Sequence, residues 1–194
     1  MNPPPFVTST AYFPPLAWVV SALFAGEWQW EAHENYQKGG WRNRCRIASA
    51  NGPLMLSVPL QGGKHRRMPV REVAISHRTD WQRQHEQSIR SAYGRAPYFE
   101  FYAESLFTAL HAPAPDLWTL NWGLTQTLLE LLDLPITLTT TDSFCAESAG
   151  EMPATESVHR YPQVFQDRHG FLPHLSILDG LFCLGPELAG LAVR

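Results

Sequence analysis

The stretch RCRIASANGPLMLSVPL, from Arg44 to Leu60, decides the fold of this 194-residue chain. Two strand-like segments, Arg44–Ala50 and Leu54–Leu60, flank the pair Asn51-Gly52. This pair readily supplies the positive φ angles that a tight hairpin turn requires. The sequence therefore predicts a β-hairpin here.

The two faces of the first predicted strand differ in chemistry. Side chains alternate along an extended chain, so Arg44 and Arg46 share one face while Cys45 and Ile47 share the other. The alternation points Cys45 away from the arginines that would activate a thiol, and free cysteines are often buried. We expect a basic outer face and a buried Cys45.

A strand, a helix and a second strand are predicted upstream of the hairpin. Phe6–Phe13 is rich in β-branched and aromatic residues, and Leu16–Ala25 is an apolar run that Gly26 terminates. Glu27–Glu31 alternates tryptophan with polar residues, as a strand does. The chain therefore opens with a strand–helix–strand unit.

The remainder of the chain is predicted to be mainly helical. The predicted helices are Asp80–Tyr93, with Asp80 as N-cap, then Tyr98–His111, Asp116–Leu132 and Ser176–Cys183, and the predicted strands are Arg71–Ser76 and Pro135–Thr141. This pattern indicates an α/β fold with a mixed sheet, and α+β is the alternative. The length and the 44% hydrophobic content predict one domain over residues 1–194.

The net charge of −3 conceals an asymmetry between the two halves of the chain. Through Pro97 there are 12 basic and 6 acidic residues, and from Tyr98 onward there are 3 and 12. Thirteen of the basic residues are arginines, which suit discrete carboxylate or phosphate recognition. A sequence pI of about 6.2 and the lack of a nucleic-acid-binding motif argue against nucleic acid as a partner.

The cysteines and the apolar runs predict a cytoplasmic protein. Cys45, Cys145 and Cys183 are odd in number and form no CxxC pair, so neither a disulfide framework nor a thiolate metal site is indicated. The apolar run Leu16–Phe24 is shorter than the roughly 20 residues that cross a bilayer. We expect no signal peptide and no membrane span.

The segment HENYQKGGWRNRCRI, from His33 to Ile47, concentrates hydrogen-bonding side chains beside aromatic ones. Such a set is able to clamp a phosphate, a carboxylate or a sugar, with an aromatic ring stacked against the ligand. The alternative is a set of surface arginines paired with acidic residues across the sheet. The predicted substrate-binding residues are Asn35, Lys38, Trp41, Arg42, Asn43, Arg44 and Arg46.

His85 is the histidine we favour as a general base or hydrogen-bond donor, since Arg90, Tyr93 and Tyr98 are near it in the sequence. The alternative is a histidine whose hydrogen bonds are satisfied at a helix surface. The chain shows neither a metal-ligand spacing nor a phosphate-binding loop, so no metal and no cofactor are expected.

Seven motifs spread along the chain are familiar as a set. They are YFPP (Tyr12–Pro15), ENYQK (Glu34–Lys38), WRNRCRI (Trp41–Ile47), NG (Asn51-Gly52), WQRQHEQSI (Trp81–Ile89), SAYGRAPYF (Ser91–Phe99) and GFLPHLSILDGLFCLGPE (Gly170–Glu187). On these motifs, the chain resembles the bacterial WbqC-like protein family. Gly39-Gly40 and Gly180 depart from the residues expected at those positions.

The resemblance implies a cytoplasmic bacterial protein associated with O-antigen or other surface-polysaccharide biosynthesis. It implies transfer of a group onto an amino sugar or a related precursor. The family pattern carries over to this sequence at Asn35, Lys38, Asn43, Arg44, His85, Tyr93 and Asp179. His85 and Tyr93 are therefore the candidate catalytic residues.

Two functional hypotheses follow. In the first, a transferase binds an activated sugar or acyl donor through Arg42, Arg44 and Arg46, and His85 assists proton transfer. In the second, a non-catalytic binding or scaffold protein recognises a sugar nucleotide or an enzyme of the same pathway. Turnover of a donor and acceptor pair distinguishes them.

Overall fold

The computed structural model describes residues 3–62, 68–146 and 160–192. The strands are β1 (Phe6–Thr8), β2 (Glu27–Trp30), β3 (Arg44–Ile47), β4 (Leu54–Ser57) and β5 (Thr137–Thr140). The helices are α1 (Leu16–Ala25), α2 (Trp81–Tyr93), α3 (Phe99–His111), α4 (Leu117–Leu131), α5 (Gln166–His169) and α6 (Ile177–Leu184). The predicted fold class is confirmed, with parallel and antiparallel pairing in two separate sheets.

The parallel sheet has the strand order β1-β2-β5. The predicted strand–helix–strand opening is confirmed, because β1 and β2 pair in parallel across α1. Gly26 ends α1 in the left-handed conformation with φ 74°, and its N–H donates to Ala22 O at 2.8 Å. β5 joins the other edge of β2, pairing Trp28 with Leu138.

The predicted hairpin is confirmed, but its connection is longer than a two-residue turn. The ladder runs from Arg44↔Ser57 to Ile47↔Leu54, so residues 48–53 connect the strands. In this connection Gly52 alone takes a positive φ, of 101°. Pro53 has no N–H to donate to the ladder, which prevents the pairing from reaching the turn.

The alternation predicted for β3 is confirmed. Cys45 and Ile47 are fully buried, whereas Arg44 is exposed. Burial also raises the pKa of the Cys45 thiol far above its ordinary value, so the side chain is a small core residue that stays protonated. One face of the hairpin is therefore core, and the other is basic.

Two predicted strands are wrong in extent. The strand predicted over Phe6–Phe13 ends at Thr8, since the chain then turns into the core, where Phe13 takes φ 42°. The segment Arg71–Ser76 forms no ladder but begins in a 3-10 helix, Val70–Glu72. Its buried Val73 and Ile75 mimic a strand pattern, although the segment makes only isolated bridges.

α6 is packed against α1 at very short range. The Leu16 N–H donates to Leu175 O at 3.0 Å, and the Ile177 N–H donates to Pro14 O at 2.8 Å. A Cβ on Gly180 would lie 2.7 Å from Leu188 Cδ1 and 2.9 Å from Leu16 Cδ1, so a larger residue there would require these leucine side chains to move. The glycine that departs from the expected family pattern thus lies where α6 packs closely against two leucines.

No helix in the described ranges 3–62, 68–146 and 160–192 combines the length and the apolarity needed to cross a membrane.

Candidate functional site

The segment Trp41–Asn43 is fixed to neighbouring elements by its backbone. The buried amide of Asn121 on α4 donates to Arg42 O at 2.7 Å. The Val58 N–H donates to Asn43 O at 2.8 Å, and the Asn43 side-chain amide returns a hydrogen bond to Val58 O at 2.9 Å. These bonds set the loop immediately before β3 in one conformation.

Arg42 lies inside the protein, in an ion pair with Glu34. The Arg42 Nε donates to Glu34 Oε1 at 2.9 Å and Nη2 donates to Oε2, with the two side chains only 3% and 2% exposed. Burial raises the pKa of Glu34, and Arg42 acts in the opposite direction. The structure therefore separates Arg42 from the other predicted clamp arginines, because its guanidinium already has a carboxylate partner.

Asn35 and Lys38 are exposed on the loop between β2 and β3. Asn35 forms an isolated backbone bridge with Pro69.

The Asn43 side chain is held from this loop as well as from Val58, which follows β4. The hydroxyl of Tyr36 donates to Asn43 Oδ1 at 2.9 Å. Both carbonyl and amide of the Asn43 side chain are thus engaged within the protein.

Trp41, Arg44, Arg46 and His174 form a surface that we call the basic face. The Arg46 guanidinium carbon lies 5.5 Å from the centroid of the Trp41 ring. Burial and the nearby Arg46 lower the pKa of His174. Within the described part of the chain, neither Arg44 nor Arg46 is in an ion pair. The face therefore keeps its positive charge.

His85 is buried beneath the hairpin and is 6% exposed. Its Nδ1 lies 2.8 Å from the Tyr12 hydroxyl, and the Trp81 ring meets the imidazole edge-on at 5.2 Å. Burial lowers the pKa of His85 to about 4, against the opposing effect of a hydrogen bond with the Ser57 backbone. The imidazole is therefore neutral near pH 7, and its Nδ1 accepts a hydrogen bond from the Tyr12 hydroxyl when Nε2 carries the ring hydrogen.

Tyr93 and Asp179 meet in a second buried polar cluster, which we call the Asp179 network. The Tyr161 hydroxyl donates to Asp179 Oδ2 at 2.6 Å, and the Gln163 amide donates to the same oxygen at 3.1 Å. Tyr93 accepts a hydrogen bond from the Ala48 N–H at 3.1 Å. Burial raises the pKa of Asp179 to about 6, although hydrogen bonds from Tyr161, Tyr93 and Gln163 oppose the rise.

The Asp179 network borders a cleft of about 870 Å³, which we call the arginine-lined cleft. Gln163 and Cys183 belong both to the cleft wall and to the surroundings of Asp179. The charged side chains of its wall are Arg90, Arg95, Asp167 and Arg168. The cleft thus combines concavity, apolar walls and three guanidinium groups, which are common features of small-molecule sites.

The three cleft arginines differ in how far their charge is neutralised. Arg90 Nε donates to Glu86 Oε1 at 2.8 Å, one helical turn away. Arg168 Nη1 lies 3.5 Å from Ala50 O in the hairpin connection, and no described carboxylate is within ion-pair distance of Arg95 or Arg168. Arg95 and Arg168 therefore carry the unpaired positive charges of the cleft wall, against the single negative charge of Asp167.

Cys183 is a thiol in this environment. Burial raises its pKa far above the ordinary value, and the neighbouring Asp179 adds to the rise. The group is therefore a weak nucleophile, and the cleft is better suited to binding than to covalent catalysis through sulfur.

Sequence reasoning missed Arg95, Arg168, Tyr161 and Gln163. Arg95 lies in the motif SAYGRAPYF, so this motif could have identified it as a candidate site residue. Arg168 carries no local signal, because it joins the cleft only when residues 160–170 fold against the hairpin connection at Ala50.

Among the residues that the structure describes, no group of three or more His, Cys, Asp or Glu side chains has an arrangement able to hold a metal ion.

Comparison with known proteins gives a family match and one curated relative. A sequence model of the family described as WbqC-like protein family matches residues 10–156, about three quarters of the chain. The uncharacterized protein Rv1507c of Mycobacterium tuberculosis is 29% identical over 101 residues, which are 52% of this chain and 41% of that protein. The match therefore spans about two fifths of the length of the relative. No solved structure matches the chain significantly.

Proposed function

The chain belongs to the WbqC-like protein family, and from this premise we propose that it is a transferase-like protein of bacterial surface-polysaccharide (O-antigen) biosynthesis. It acts in the cytoplasm on an amino sugar or on an activated sugar or acyl precursor. The negatively charged group of the precursor binds to arginine side chains.

The observation that carries this proposal is the arginine-lined cleft beside the Asp179 network. A volume of about 870 Å³ lies within the range of about 300–1,000 Å³ that is usual for small-molecule sites. Arg95 and Arg168 approach the cleft from different segments and have no described carboxylate partner. Guanidinium groups of this kind bind phosphate and carboxylate groups with paired hydrogen bonds.

In this proposal, the predicted catalytic residues act as positioning residues. Tyr93 is fully buried and joins the hairpin connection at Ala48 to the wall of the cleft. His85 holds Tyr12 in the same manner beneath β4. Of His85, Tyr93 and Asp179, Asp179 has the pKa nearest to neutral, about 6, and so is the best placed of the three for proton transfer.

The basic face is the second proposed anion subsite. Arg44 and Arg46 project from the solvent side of β3, and Trp41 offers a ring against which a base or sugar is able to stack. This subsite retains Asn35 and Lys38 on the neighbouring loop as proposed contacts. Arg42 and Asn43 support it from inside, through Glu34 and Val58 respectively.

A thermal-shift screen of nucleotide sugars, amino-sugar derivatives and acyl-CoA donors tests the proposal, since a ligand that binds the native state raises apparent stability. The screen compares the wild type with Arg95→Ala/Arg168→Ala and with Arg44→Ala/Arg46→Ala. The matched control, Arg78→Ala/Arg83→Ala, removes the same charge from exposed positions elsewhere.

A ligand-induced shift that disappears only in the cleft variant supports the arginine-lined cleft. A shift that disappears only in the hairpin variant assigns the anion to the basic face instead. Wild-type protein that responds to none of these compounds contradicts the proposal.

The second candidate function is a non-catalytic protein that binds a sugar nucleotide or an enzyme of the same pathway. The burial of both His85 and Tyr93 favours it, because neither side chain is accessible to a ligand that enters from solvent. Incubation of each stabilising donor with amino-sugar acceptors, followed by mass spectrometry, separates the two. Product formation excludes the binding-only function, and binding without product supports it.

A further inference from the structure

Two tryptophans lie one turn apart on α4, away from the residues used so far. Trp118 and Trp122 are both partly exposed, and their rings are nearly parallel, with an interplanar angle of 16° and centroids 6.2 Å apart. Trp30, the last residue of β2, is buried and meets them edge-on at 5.7 and 5.5 Å. The buried indole therefore fixes the orientation of the two partly exposed ones.

Arg71 covers part of this aromatic surface. Its guanidinium carbon is 4.8 Å from the centroid of the Trp118 ring. The side chain is exposed, and it forms no ion pair with any carboxylate in the described ranges. We call Arg71, Trp118 and Trp122 the Trp–Arg platform. It presents the positive charge of Arg71 beside the Trp122 ring, which Arg71 does not cover.

A cavity of about 450 Å³ lies over the Trp–Arg platform. Gly123 lines this cavity, and a Cβ added there would meet nothing within 4 Å, so the position faces open space. Hydroxyl and amide groups of Thr119, Gln126 and Thr140 line the remainder. Thr140 is the last residue of β5, so the cavity lies at the carboxyl edge of the parallel sheet, where α/β proteins characteristically bind ligands.

These features specify the chemistry of a ligand. A single uncovered indole face suits a ring that stacks on one side only, as a sugar does with its apolar face. Hydroxyl and amide groups at the wall match sugar hydroxyls, and the Arg71 guanidinium matches one carboxylate. We infer that the Trp–Arg platform binds an acidic monosaccharide unit. This inference goes beyond the proposed transfer reaction and does not depend on it.

NMR titration of the tryptophan indole N–H resonances tests the inference, with galacturonic acid, galactose and benzoate as probes. Galacturonic acid is expected to shift the indole resonances of Trp118 and Trp122. Galactose is expected to bind about three- to fivefold more weakly, since an exposed ion pair contributes up to about 1 kcal/mol. Arg71→Gln is expected to reduce the affinity for galacturonic acid to that for galactose.

Variants at Gly123 provide a steric test in one position. Gly123→Leu places a branched side chain in the cavity beside the Trp122 ring and is expected to obstruct binding of both sugars. Gly123→Ala is the matched control. It also removes the low helix propensity of glycine, but its Cβ meets nothing within 4 Å and leaves the cavity open. Melting temperatures at or above that of the wild type show that the fold of both variants is intact.

Three results would overturn the inference. They are the absence of any indole shift with galacturonic acid, wild-type affinity in Gly123→Leu, and tighter binding of benzoate than of galacturonic acid. The last result would assign the platform to a planar aromatic anion. None of these measurements involves Arg95, Arg168 or turnover, so their failure is distinct from failure of the proposed function.

Discussion

Glu34 and Asp179 are both buried carboxylates with a raised pKa, yet their surroundings differ. Glu34 forms an ion pair with the guanidinium of Arg42, which donates two hydrogen bonds to the carboxylate. Asp179 receives only neutral donors, chiefly Tyr161 and Gln163. The first site is balanced in charge and closed, whereas the second keeps an uncompensated negative charge beside a cleft that carries arginines.

This difference indicates separate roles for the two carboxylates. A buried pair with matched charge fixes a loop and has little reason to change its protonation state. A buried carboxylate that is held only by neutral groups has a pKa closer to neutral pH. A cation or anion that binds nearby therefore changes its protonation state. The comparison therefore assigns Glu34 to structure and Asp179 to the site.

The largest expected effect on stability comes from removing one member of the buried Arg42–Glu34 ion pair, which we call the closed pair. Arg42→Met leaves the Glu34 charge buried without a partner and is expected to lower the free energy of unfolding by about 4 kcal/mol. Urea-induced unfolding at pH 7 measures the loss. The double variant Arg42→Met/Glu34→Leu is expected to recover most of it. A loss below about 1 kcal/mol in the single variant would contradict the description of this pair.

The second effect is a pH dependence that Asp179→Asn removes. Native Asp179 keeps its proton up to a pKa of about 6, whereas the unfolded chain releases it near 3.8. The native state binds more protons between these values, so wild-type stability falls by about 3 kcal/mol relative to the variant as the pH rises through this window. Urea titrations of both proteins from pH 4 to pH 7 measure the difference, and parallel profiles would refute it.

The third effect concerns the hydrogen-bond donors that surround Asp179. Tyr161→Phe removes the 2.6 Å hydrogen bond to Asp179, and a bond to a charged acceptor contributes about 2 kcal/mol. We expect this loss at pH 8, where Asp179 is ionised, and a smaller loss at pH 4.5. Tyr102→Phe on α3 is the control, since its hydroxyl makes no side-chain bond of this kind in the described residues. Equal losses at both pH values would count against an ionised acceptor.

The smallest effect separates charge from geometry within the closed pair. Arg42→Lys retains the positive charge but replaces a planar fork with a single ammonium group. We expect a loss of about 1 kcal/mol in the free energy of unfolding, because one of the two hydrogen bonds to Glu34 is no longer made. Chemical unfolding beside Arg42→Met measures it. A loss as large as that of Arg42→Met would show that planar geometry, and not charge, controls this site.

Local signals predicted much of the fold. The sequence predicted α1 with its observed bounds, because an apolar run is closed by Pro15 on one side and Gly26 on the other. The hairpin was predicted from strand alternation around Gly52. The strand predicted over Arg71–Ser76 failed because alternating burial at Val73 and Ile75 also arises when an irregular segment crosses the core.

The candidate site was less accessible to prediction, since it depends on distant partners. Arg42 and Arg44 are equivalent by composition, and only the position of Glu34 in the folded chain sends one inside and leaves the other at the surface. Arg168 and the hairpin connection at Ala50 are 118 residues apart in the chain. No periodicity or spacing encodes such a contact.

The close seating of α6 against α1 has a consequence for the order in which the protein folds during its synthesis. α1 lies near the start of the chain, yet its first turn is bonded to Leu175 and packs near Gly180. Ribosomes add about 5–20 residues per second, and α6 begins about 160 residues after α1, so α1 waits roughly 8–32 s for its partner to be synthesised. The part of its apolar surface that α6 covers in the native fold stays exposed during that time, so the N-terminal unit cannot complete its packing until the C-terminal segment has been made.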